Sequence, residues 1–202
     1  MKLYYSTGAC SMSPHIVLRE AGLPFEAVLT STKTHQLADG TDYYTINPKG
    51  SVPLLELDNG ERLSEGPAIV QYIADLVPAK NLAPAAGTMA RYRLQEWLNY
   101  ITSELHKGYG ALFNPATPAD YKSMASARLI DRLTIVDKAL AGKEFLMGEH
   151  FTVADAYLFT VAGWSKFVGL DISALTNLTA YLGRIASRPA VQETMKAEGL
   201  IK

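Results

Sequence analysis

An α/β domain followed by an all-α domain is the fold class that this sequence predicts, and three observations predict it. Strand and helix signals alternate over short spans up to about Leu76. An alanine-rich stretch with Pro78, Pro84 and Gly87 then interrupts them, as a linker does. Beyond it, apolar residues recur at helical spacing almost to the end of the chain. We therefore predict a first domain over residues 1–77, a linker over 78–87 and an all-helical domain over 88–202.

Turn and cap residues delimit the elements of the first domain. Ser13 and Pro14 begin a helix, because proline is favoured at the first helical position, and Gly22 with Pro24 ends it. The turn Asp58-Asn59-Gly60 joins two strands into a hairpin. The predicted strands cover residues 3–6, 25–30, 52–57 and 62–64, and a second helix covers residues 66–76.

Helical periodicity divides the second half into five segments. They cover residues 88–112, 118–141, 152–167 and 174–187, with a short helix after Pro189. Thr152 and Asp155 have the spacing of a capping box, in which two side chains satisfy free backbone N–H groups at a helix start. Their predicted role is in folding rather than in catalysis.

The composition excludes several classes of function. Lys and Arg number 19 and Asp and Glu number 20, so no charged surface for nucleic acid or an anionic membrane is predicted. No apolar run approaches the roughly 20 residues of a membrane span, and the N-terminus lacks the apolar core of a signal peptide. The single cysteine, Cys10, excludes internal disulfides and a cysteine-based metal cluster. We expect a cytoplasmic protein without a metal.

Cys10 lies in the predicted turn between the first strand and the first helix. Backbone N–H groups at a helix start, together with the helix dipole, stabilise a thiolate. The alternative is an inert core residue, since free cysteine is among the most buried residue types. The position in a strand-to-helix turn favours the reactive cysteine.

Two further segments accompany Cys10. Val52-Pro53 enters a predicted strand, at a position where proline is tolerated, and it ends the motif Asn47-Pro48-Lys49-Gly50-Ser51-Val52-Pro53. Glu65 stands before a helix that begins at Gly66. With Gly8-Ala9-Cys10-Ser11, these segments resemble the glutathione-binding motifs of glutathione S-transferases, and the cysteine is typical of the bacterial beta class. The resemblance covers the whole chain.

The resemblance implies a thioredoxin-like first domain, a helical domain that lines the electrophile pocket and the dimer interface, and a homodimer. Cys10 would contact the sulfur of glutathione and could form a mixed disulfide with it. Val52, before a cis proline at position 53, would pair its main chain with the cysteinyl part of glutathione. Glu65 would bind the γ-glutamyl ammonium, and the Gly66 N–H would bind its carboxylate.

Other roles are implied for residues outside these segments. Ser11 is a second candidate donor to the bound sulfur, and Tyr5 is a minor one. His106 would be a hydrogen-bond donor or proton carrier near that sulfur. His35 stands where close relatives often carry a lysine that pairs with the glycyl carboxylate.

The helical half contributes the remaining candidates. Asn99 and Ser103 share a helix face with His106 at 100° per residue, and the resemblance places them against glutathione, some from the partner subunit. Without the resemblance, this polar stripe would be an ordinary solvent-exposed face. The implied second-substrate pocket contains Tyr109, Phe113 and Trp164.

The implied function is transfer of glutathione, as a thiolate, to a small apolar electrophile, with glutathione as co-substrate and no cofactor. Two alternatives stay open. One is thiol–disulfide exchange through Cys10 with glutathione as reductant, and the other is a non-catalytic protein that binds apolar ligands. The electrophile itself is not predicted, because residue types do not define the shape of a pocket.

Overall fold

The computed structural model describes all 202 residues, which form two compact units. The first comprises Met1–Ala83 together with Arg188–Lys202, and the second comprises Pro84–Ser187. The predicted fold class is confirmed, because an α/β unit is combined with a unit that contains only helices. No helix is long and apolar enough to cross a membrane.

A four-stranded mixed sheet organises the first unit. Its strands are β1 (Lys2–Tyr5), β2 (Glu26–Leu29), β3 (Leu54–Glu56) and β4 (Arg62–Ser64), in the spatial order β2-β1-β3-β4. Strand β1 is parallel to β2 and antiparallel to β3, and β3 and β4 form the predicted hairpin. Each strand lies within its predicted span or is shifted by one residue. The carboxyl end of β1 and the entrance of β3 therefore lie at the same edge of the sheet.

Helices cover the sheet of the first unit and bury its apolar side chains. They are α1 (Met12–Ala21) and α2 (Gly66–Leu76), with short 3₁₀ turns at Tyr43–Thr45 and Pro78–Lys80. The fully buried side chains of Leu3, Leu55, Ile16 and Ile69 form part of this core. The αL residue Gly22 ends α1, as predicted, since glycine adopts positive φ without steric cost.

The C-terminal helix also belongs to the first unit. Helix α9 (Pro189–Ala197) lies against α1 and buries Val191. Arg188 donates to both carboxylate oxygens of Glu20, at 2.7 and 3.0 Å. These contacts place residues 188–202 with the α/β unit, whereas the sequence predicted them within the helical domain. The predicted linker over residues 78–87 and the domain boundaries on either side of it stay predictions.

Six α-helices and one π-helical segment form the second unit. The helices are α3 (Met89–Tyr100), α4 (Lys107–Phe113), α5 (Ala119–Ala139), α6 (Val153–Gly163), α7 (Ser165–Val168) and α8 (Thr176–Ala186). The predicted helix 88–112 is thus divided, because Ile101–His106 is π-helical. The predicted helix 152–167 is interrupted at Trp164, between α6 and α7.

The predicted capping box is present at the start of α6. The Asp155 carboxylate accepts a hydrogen bond from the Thr152 N–H at 2.8 Å. It also accepts from the Leu146 N–H at 2.7 Å and from the Tyr181 hydroxyl at 2.9 Å, so it connects three separate parts of the unit. Because Asp155 is fully buried, these donors compensate for its lost hydration.

Candidate functional site

Cys10 lies in the turn between β1 and α1, as the sequence predicts. Its thiol is half-buried and donates a hydrogen bond to the Val52 carbonyl at 3.2 Å. The Met12 and Ser13 N–H groups close the turn onto the carbonyls of Ala9 and Cys10, at 2.9 and 3.2 Å. Cys10 is therefore a partly exposed residue beside the start of α1.

Ser11 has a different environment from Cys10. Its side chain is fully buried, and its hydroxyl donates to the Ser6 carbonyl at 3.2 Å while accepting from the Ser6 N–H at 3.1 Å. These two bonds hold the turn closed below Cys10, so the geometry supports a positioning role better than direct contact with a ligand. Tyr5 is also buried, and burial, with a smaller effect of Glu198, raises the pKa of its phenol.

Val52 and Pro53 form the entrance of β3, and the peptide bond between them is cis, as predicted. The Val52 carbonyl accepts a hydrogen bond from the Cys10 thiol, and the Val52 N–H has no hydrogen-bond partner in the protein. The preceding carbonyl, that of Ser51, is fixed by the Tyr43 hydroxyl at 3.1 Å and the Asn47 amide at 2.7 Å. The main chain of Val52 is thus held rigidly with its N–H available to an added strand.

Glu65 and Gly66 begin α2. Glu65 has a φ of 71°, a positive value that non-glycine residues rarely adopt. Its carbonyl accepts from the N–H groups of Ala68 and Ile69, whereas the Gly66 N–H has no partner. The Glu65 side chain is 69% exposed and its carboxylate accepts from the Lys49 ammonium at 2.9 Å. A carboxylate and a free helix N–H therefore stand next to each other.

His35 contacts the same loop from the other side. Its Nδ1 lies 3.0 Å from the Gly50 carbonyl, and its ring stacks on Tyr44 with 4.6 Å between centroids. Gly50 has a φ of 63°, and a Cβ there would lie 2.5 Å from Tyr44. Only glycine therefore allows this close arrangement.

The loop of residues 47–53 brings the predicted candidates of the first unit together. It contacts Cys10 through Val52, Glu65 through Lys49, and His35 through Gly50. Lys49 and Tyr43 are contributors that the sequence analysis did not assign to the site. Lys49 lies in the recognised motif, so the signal was present, whereas Tyr43 has no distinguishing pattern.

Glu198 is another residue that the sequence analysis missed. Its carboxylate accepts from the Gly8 N–H at 2.8 Å, two residues before Cys10, and lies 2.8 Å from Nδ1 of His15. The His15 and Glu198 side chains are both fully buried. His15 therefore helps to fix the turn of Cys10 through Glu198.

In the second unit, His106 belongs to an aromatic cluster formed by His106, Tyr109, Phe113, Tyr157 and Trp164. The Trp164 ring lies edge-on to His106, Tyr109 and Phe113, with centroids 4.9, 5.7 and 5.6 Å away. Nδ1 of His106 lies 2.8 Å from the Tyr157 hydroxyl. The sequence analysis named four members and missed Tyr157, which occurs in an almost uniformly apolar helix.

The members of the aromatic cluster differ in exposure. Tyr109 is fully buried and bonded to the Ser165 hydroxyl at 2.6 Å, and burial raises the pKa of its phenol to about 12. Phe113 is 48% exposed. Tyr109 thus supports the cluster from inside, while Phe113 presents an apolar surface.

Asn99 and Ser103 are exposed, whereas His106 contacts Tyr157 of α6. The predicted common face assumed 100° per residue, but the intervening Ile101–His106 segment is π-helical and turns less per residue. His106 consequently faces α6, whereas Ser103 is exposed and lines a cavity of about 430 Å³ between α4 and α5. The predicted contact of Asn99, Ser103 and His106 with glutathione stays a prediction.

Comparison with known proteins gives the family. Residues 7–76 match the glutathione S-transferase N-terminal domain and residues 97–189 match the glutathione S-transferase C-terminal domain. The chain belongs to the glutathione S-transferase family. It is 47% identical to glutathione S-transferase GstA of Escherichia coli O157:H7 over 200 residues, which cover 99% of this chain and 100% of the relative.

Solved structures agree with this assignment. The bacterial beta-class glutathione S-transferase of Sphingomonas chungbukensis is 49% identical with a TM-score of 0.96, and each chain covers 100% of the other. A sphingomonad glutathione S-transferase complexed with glutathione is 49% identical with a TM-score of 0.95, again over 100% of both chains. The chain is therefore a glutathione transferase that resembles the beta class, as its sequence predicts.

Proposed function

We propose that this transferase binds glutathione along the loop of residues 47–53 and at the start of α2, and conjugates its thiolate to small apolar electrophiles. The observation that carries this proposal is the main chain of Val52, whose N–H has no partner and whose carbonyl contacts the Cys10 thiol. Such an edge pairs with an extended peptide, and a reactive thiol beside it suits a peptide that contains cysteine.

The ends of glutathione have separate binding groups. The Glu65 carboxylate accepts a hydrogen bond from the Lys49 ammonium. The γ-glutamyl ammonium of glutathione would bind the same carboxylate, either beside Lys49 or in its place. The unpaired Gly66 N–H and the positive end of α2 bind the adjacent carboxylate. His35, on the opposite side of the loop, is the proposed partner of the glycyl carboxylate.

The proposed chemistry is activation of the glutathione thiol. Cys10 and the start of α1 stabilise negative charge on sulfur, and Ser11 and Glu198 hold their turn. Thiol–disulfide exchange through Cys10 is a second activity that the half-buried sulfur supports. We assign His106 the role of a hydrogen-bond donor or proton carrier in conjugation.

The electrophile would bind through apolar contact with the aromatic cluster. Nearly half of the surface of Phe113 is exposed to solvent, and the Trp164 ring packs edge-on against it. Aromatic faces and edges bind apolar and aryl substrates without requiring one shape. This fits a transferase that accepts several electrophiles.

We also propose that the protein is a homodimer in the cytoplasm. Tyr121 and Met124 are exposed apolar side chains that line the α4–α5 cavity beside Ser103, and a second copy would cover them. Asn99 and Ser103 then contribute to the partner's glutathione site. A free half-buried cysteine is compatible with a reducing compartment.

Calorimetric titration with glutathione tests the proposal. Glu65→Gln keeps the size of the side chain but removes the charge that binds the ammonium, and we expect affinity to fall by about 10- to 100-fold. Glu61→Gln is the matched control, since Glu61 lies in the β3–β4 turn and its carboxylate accepts from the neighbouring Asn59 amide. If wild type, Glu65→Gln and Glu61→Gln bind glutathione with equal affinity, the proposed site is contradicted. Absence of aryl halide conjugation by wild type contradicts the proposed reaction.

A further inference from the structure

Lys49 connects the loop of residues 47–53 to the start of α2. Its ammonium donates to the Ser64 hydroxyl at 3.0 Å and to Oε1 of Glu65 at 2.9 Å. Ser64 and Glu65 are the two residues before Gly66, at which α2 begins. The side chains of Lys49 and Glu65 are 57% and 69% exposed. A cation and an anion therefore lie side by side on the surface, next to the position proposed for the γ-glutamyl end of glutathione.

Both members of this ion pair keep unused hydrogen-bonding capacity. An ammonium has three N–H donors, and the contacts of Lys49 with Ser64 and Glu65 use two of them. A carboxylate has two oxygens, and Lys49 contacts only Oε1 of Glu65. The third N–H of Lys49 can therefore bind an acceptor of a ligand while Oε2 of Glu65 binds a donor of the same ligand.

The first turn of α2 offers few donors of its own. Pro67 has no N–H, and the N–H groups of Ala68 and Ile69 both donate to the Glu65 carbonyl at 3.0 Å. The N–H of Gly66 is the one left in this turn, and Gly66 has no side chain that could add a hydroxyl. A carboxylate has two oxygens that accept hydrogen bonds. A second donor for a carboxylate at this helix start must therefore come from outside the helix.

We propose that Lys49 is a specificity-determining residue that binds the α-carboxylate of the γ-glutamyl end together with the Gly66 N–H. The inference rests on the proposed glutathione site and deepens it. The γ-glutamyl end is zwitterionic, because one carbon carries both an ammonium and a carboxylate. The ligand ammonium binds Oε2 of Glu65, and the ligand carboxylate binds the third N–H of Lys49. The Lys49–Glu65 ion pair is thus kept in the complex, and each charge of the ligand meets an opposite charge.

A glutathione analogue without the α-carboxylate isolates the proposed contact. In 4-aminobutanoyl-Cys-Gly, a 4-aminobutanoyl group replaces the γ-glutamyl group, so the ammonium, the thiol and the glycyl carboxylate are all kept. Calorimetric titration of wild type should give an affinity for this analogue that is about 10- to 100-fold lower than that for glutathione, the effect of lost bonds to a charged group. Equal affinity of wild type for the two ligands overturns the proposal without any substitution.

Lys49→Met is the matching change in the protein, since it removes the ammonium and keeps a long unbranched side chain. We expect its affinity for glutathione to fall about 10-fold, whereas its affinity for the analogue should not fall, because the analogue lacks the carboxylate that Lys49 binds. Lys2→Met is the control. Lys2 forms an exposed ion pair with Glu26 at 3.7 Å and begins β1, whereas Cys10 follows the carboxyl end of that strand. The control should bind both ligands as wild type does.

The remaining outcomes separate this role of Lys49 from other roles and from the proposed function. An equal loss of affinity for both ligands in Lys49→Met shows that Lys49 only orients Glu65, and a gain of glutathione affinity shows that it competes with the ligand ammonium. Either result overturns the proposal. If Glu65→Gln loses glutathione affinity and Lys49→Met does not, the proposed site stands and the role of Lys49 is overturned. If wild type binds no glutathione, the proposed function fails as well.

Discussion

At the scale of single residues, Cys10 is the candidate for the chemistry that we propose for the first unit. Its sulfur is half-buried, beside the start of α1 and 3.2 Å from the Val52 carbonyl. A core cysteine would be shielded from solvent, so the observed exposure supports a reactive thiol. The thiol also lies beside the main chain of Val52, with which we propose that glutathione pairs.

The first prediction is that Cys10 exchanges with oxidised glutathione. The Cys10 thiolate attacks one sulfur of the disulfide, a Cys10–glutathione disulfide forms, and one reduced glutathione leaves with the released electrons. Wild type should therefore gain the mass of one glutathione. Cys10→Ser should gain none, because no other cysteine exists in the chain. Intact-protein mass spectrometry measures both.

Alkylation provides the control for this prediction. Iodoacetamide should modify native wild type, since the sulfur is accessible from solvent. If glutathione is never taken up and alkylation occurs only after denaturation, Cys10 is inert and the proposed mechanism is wrong. Conjugating activity can survive in part in Cys10→Ser, because the start of α1 still favours a bound thiolate.

Gly50 gives the second prediction. In Gly50→Ala, the new Cβ would lie 2.5 Å from Tyr44 and 3.1 Å from His35, so both rings must move. We expect glutathione affinity to fall at least about 10-fold, because His35 would lose its proposed hydrogen bond to the glycyl carboxylate of glutathione. Gly60→Ala is a matched control, since Gly60 also has positive φ but has nothing within 4 Å of the added Cβ.

Calorimetry and urea unfolding together separate binding from strain. Both alanine variants should lose about 1 kcal/mol of unfolding free energy through the left-handed backbone, and Gly50→Ala should lose more because its Cβ displaces Tyr44. Only Gly50→Ala should lose glutathione affinity. Equal affinity of the two variants removes His35 and the loop of residues 47–53 from the binding site.

At the scale of elements, Asp155 shows how one side chain connects α6 to its surroundings. Its carboxylate accepts from the backbone at Leu146 and Thr152 and from the Tyr181 hydroxyl. The spacing of Thr152 and Asp155 was visible in the sequence, whereas the bonds to Leu146 and Tyr181 were not.

Asp155→Ala supplies the third prediction. The substitution removes the acceptor of four buried donors, which are the Leu146 and Thr152 N–H groups and the Thr152 and Tyr181 hydroxyls, so the free energy of unfolding should fall by about 3 kcal/mol or more. Asp120→Ala, in the exposed first turn of α5, should cost only a few tenths of a kcal/mol through the helix dipole. Urea denaturation measures both changes. A loss below 1 kcal/mol in Asp155→Ala would show that the capping network does not stabilise the fold.

The same elements show what the sequence could predict. Strands, caps and turns were predictable because Pro14, Gly22 and the Asp58-Asn59-Gly60 turn act on their immediate neighbours. Cys10, Val52 and Glu65 were predictable because each stands at a turn or element boundary with a recognisable motif.

Other features depend on contacts that the sequence does not display. The π-helical segment was missed because helical periodicity assumes 3.6 residues per turn. Tyr157 lies 51 residues from His106, and Glu198 lies 183 residues from His15. Such pairs form only when the chain has folded, and neither partner carries a local signal.

At the scale of the whole molecule, the two ends of the chain belong to one unit. Helix α9 packs on α1, and Glu198 reaches the Gly8 N–H in the turn of Cys10. The C-terminal residues thus stabilise the proposed glutathione site although the sequence places them after the helical domain. Because Glu198 is buried, its bonds to the Gly8 N–H and to His15 are shielded from water.

The last prediction concerns the proposed homodimer. Met124 is 69% exposed and lines the α4–α5 cavity with Ser103 and Tyr121. If a second copy covers this face, Met124→Asp buries a charge in the interface and the protein should become monomeric at micromolar concentration in sedimentation equilibrium. Phe167→Asp, at a side chain that is 63% exposed on α7 and does not line the cavity, should leave the dimer intact.

Glutathione affinity of the Met124→Asp monomer tests whether the partner subunit contributes to the site. Removal of Asn99 and Ser103 of the other copy should weaken binding by about 10-fold or more, because the ligand loses polar partners that one protomer cannot replace. Circular dichroism and the urea midpoint must show that the monomer is folded, since an unfolded variant binds nothing for trivial reasons. A folded monomer with full glutathione affinity contradicts the contribution of Asn99 and Ser103, and a monomeric wild type contradicts the homodimer itself.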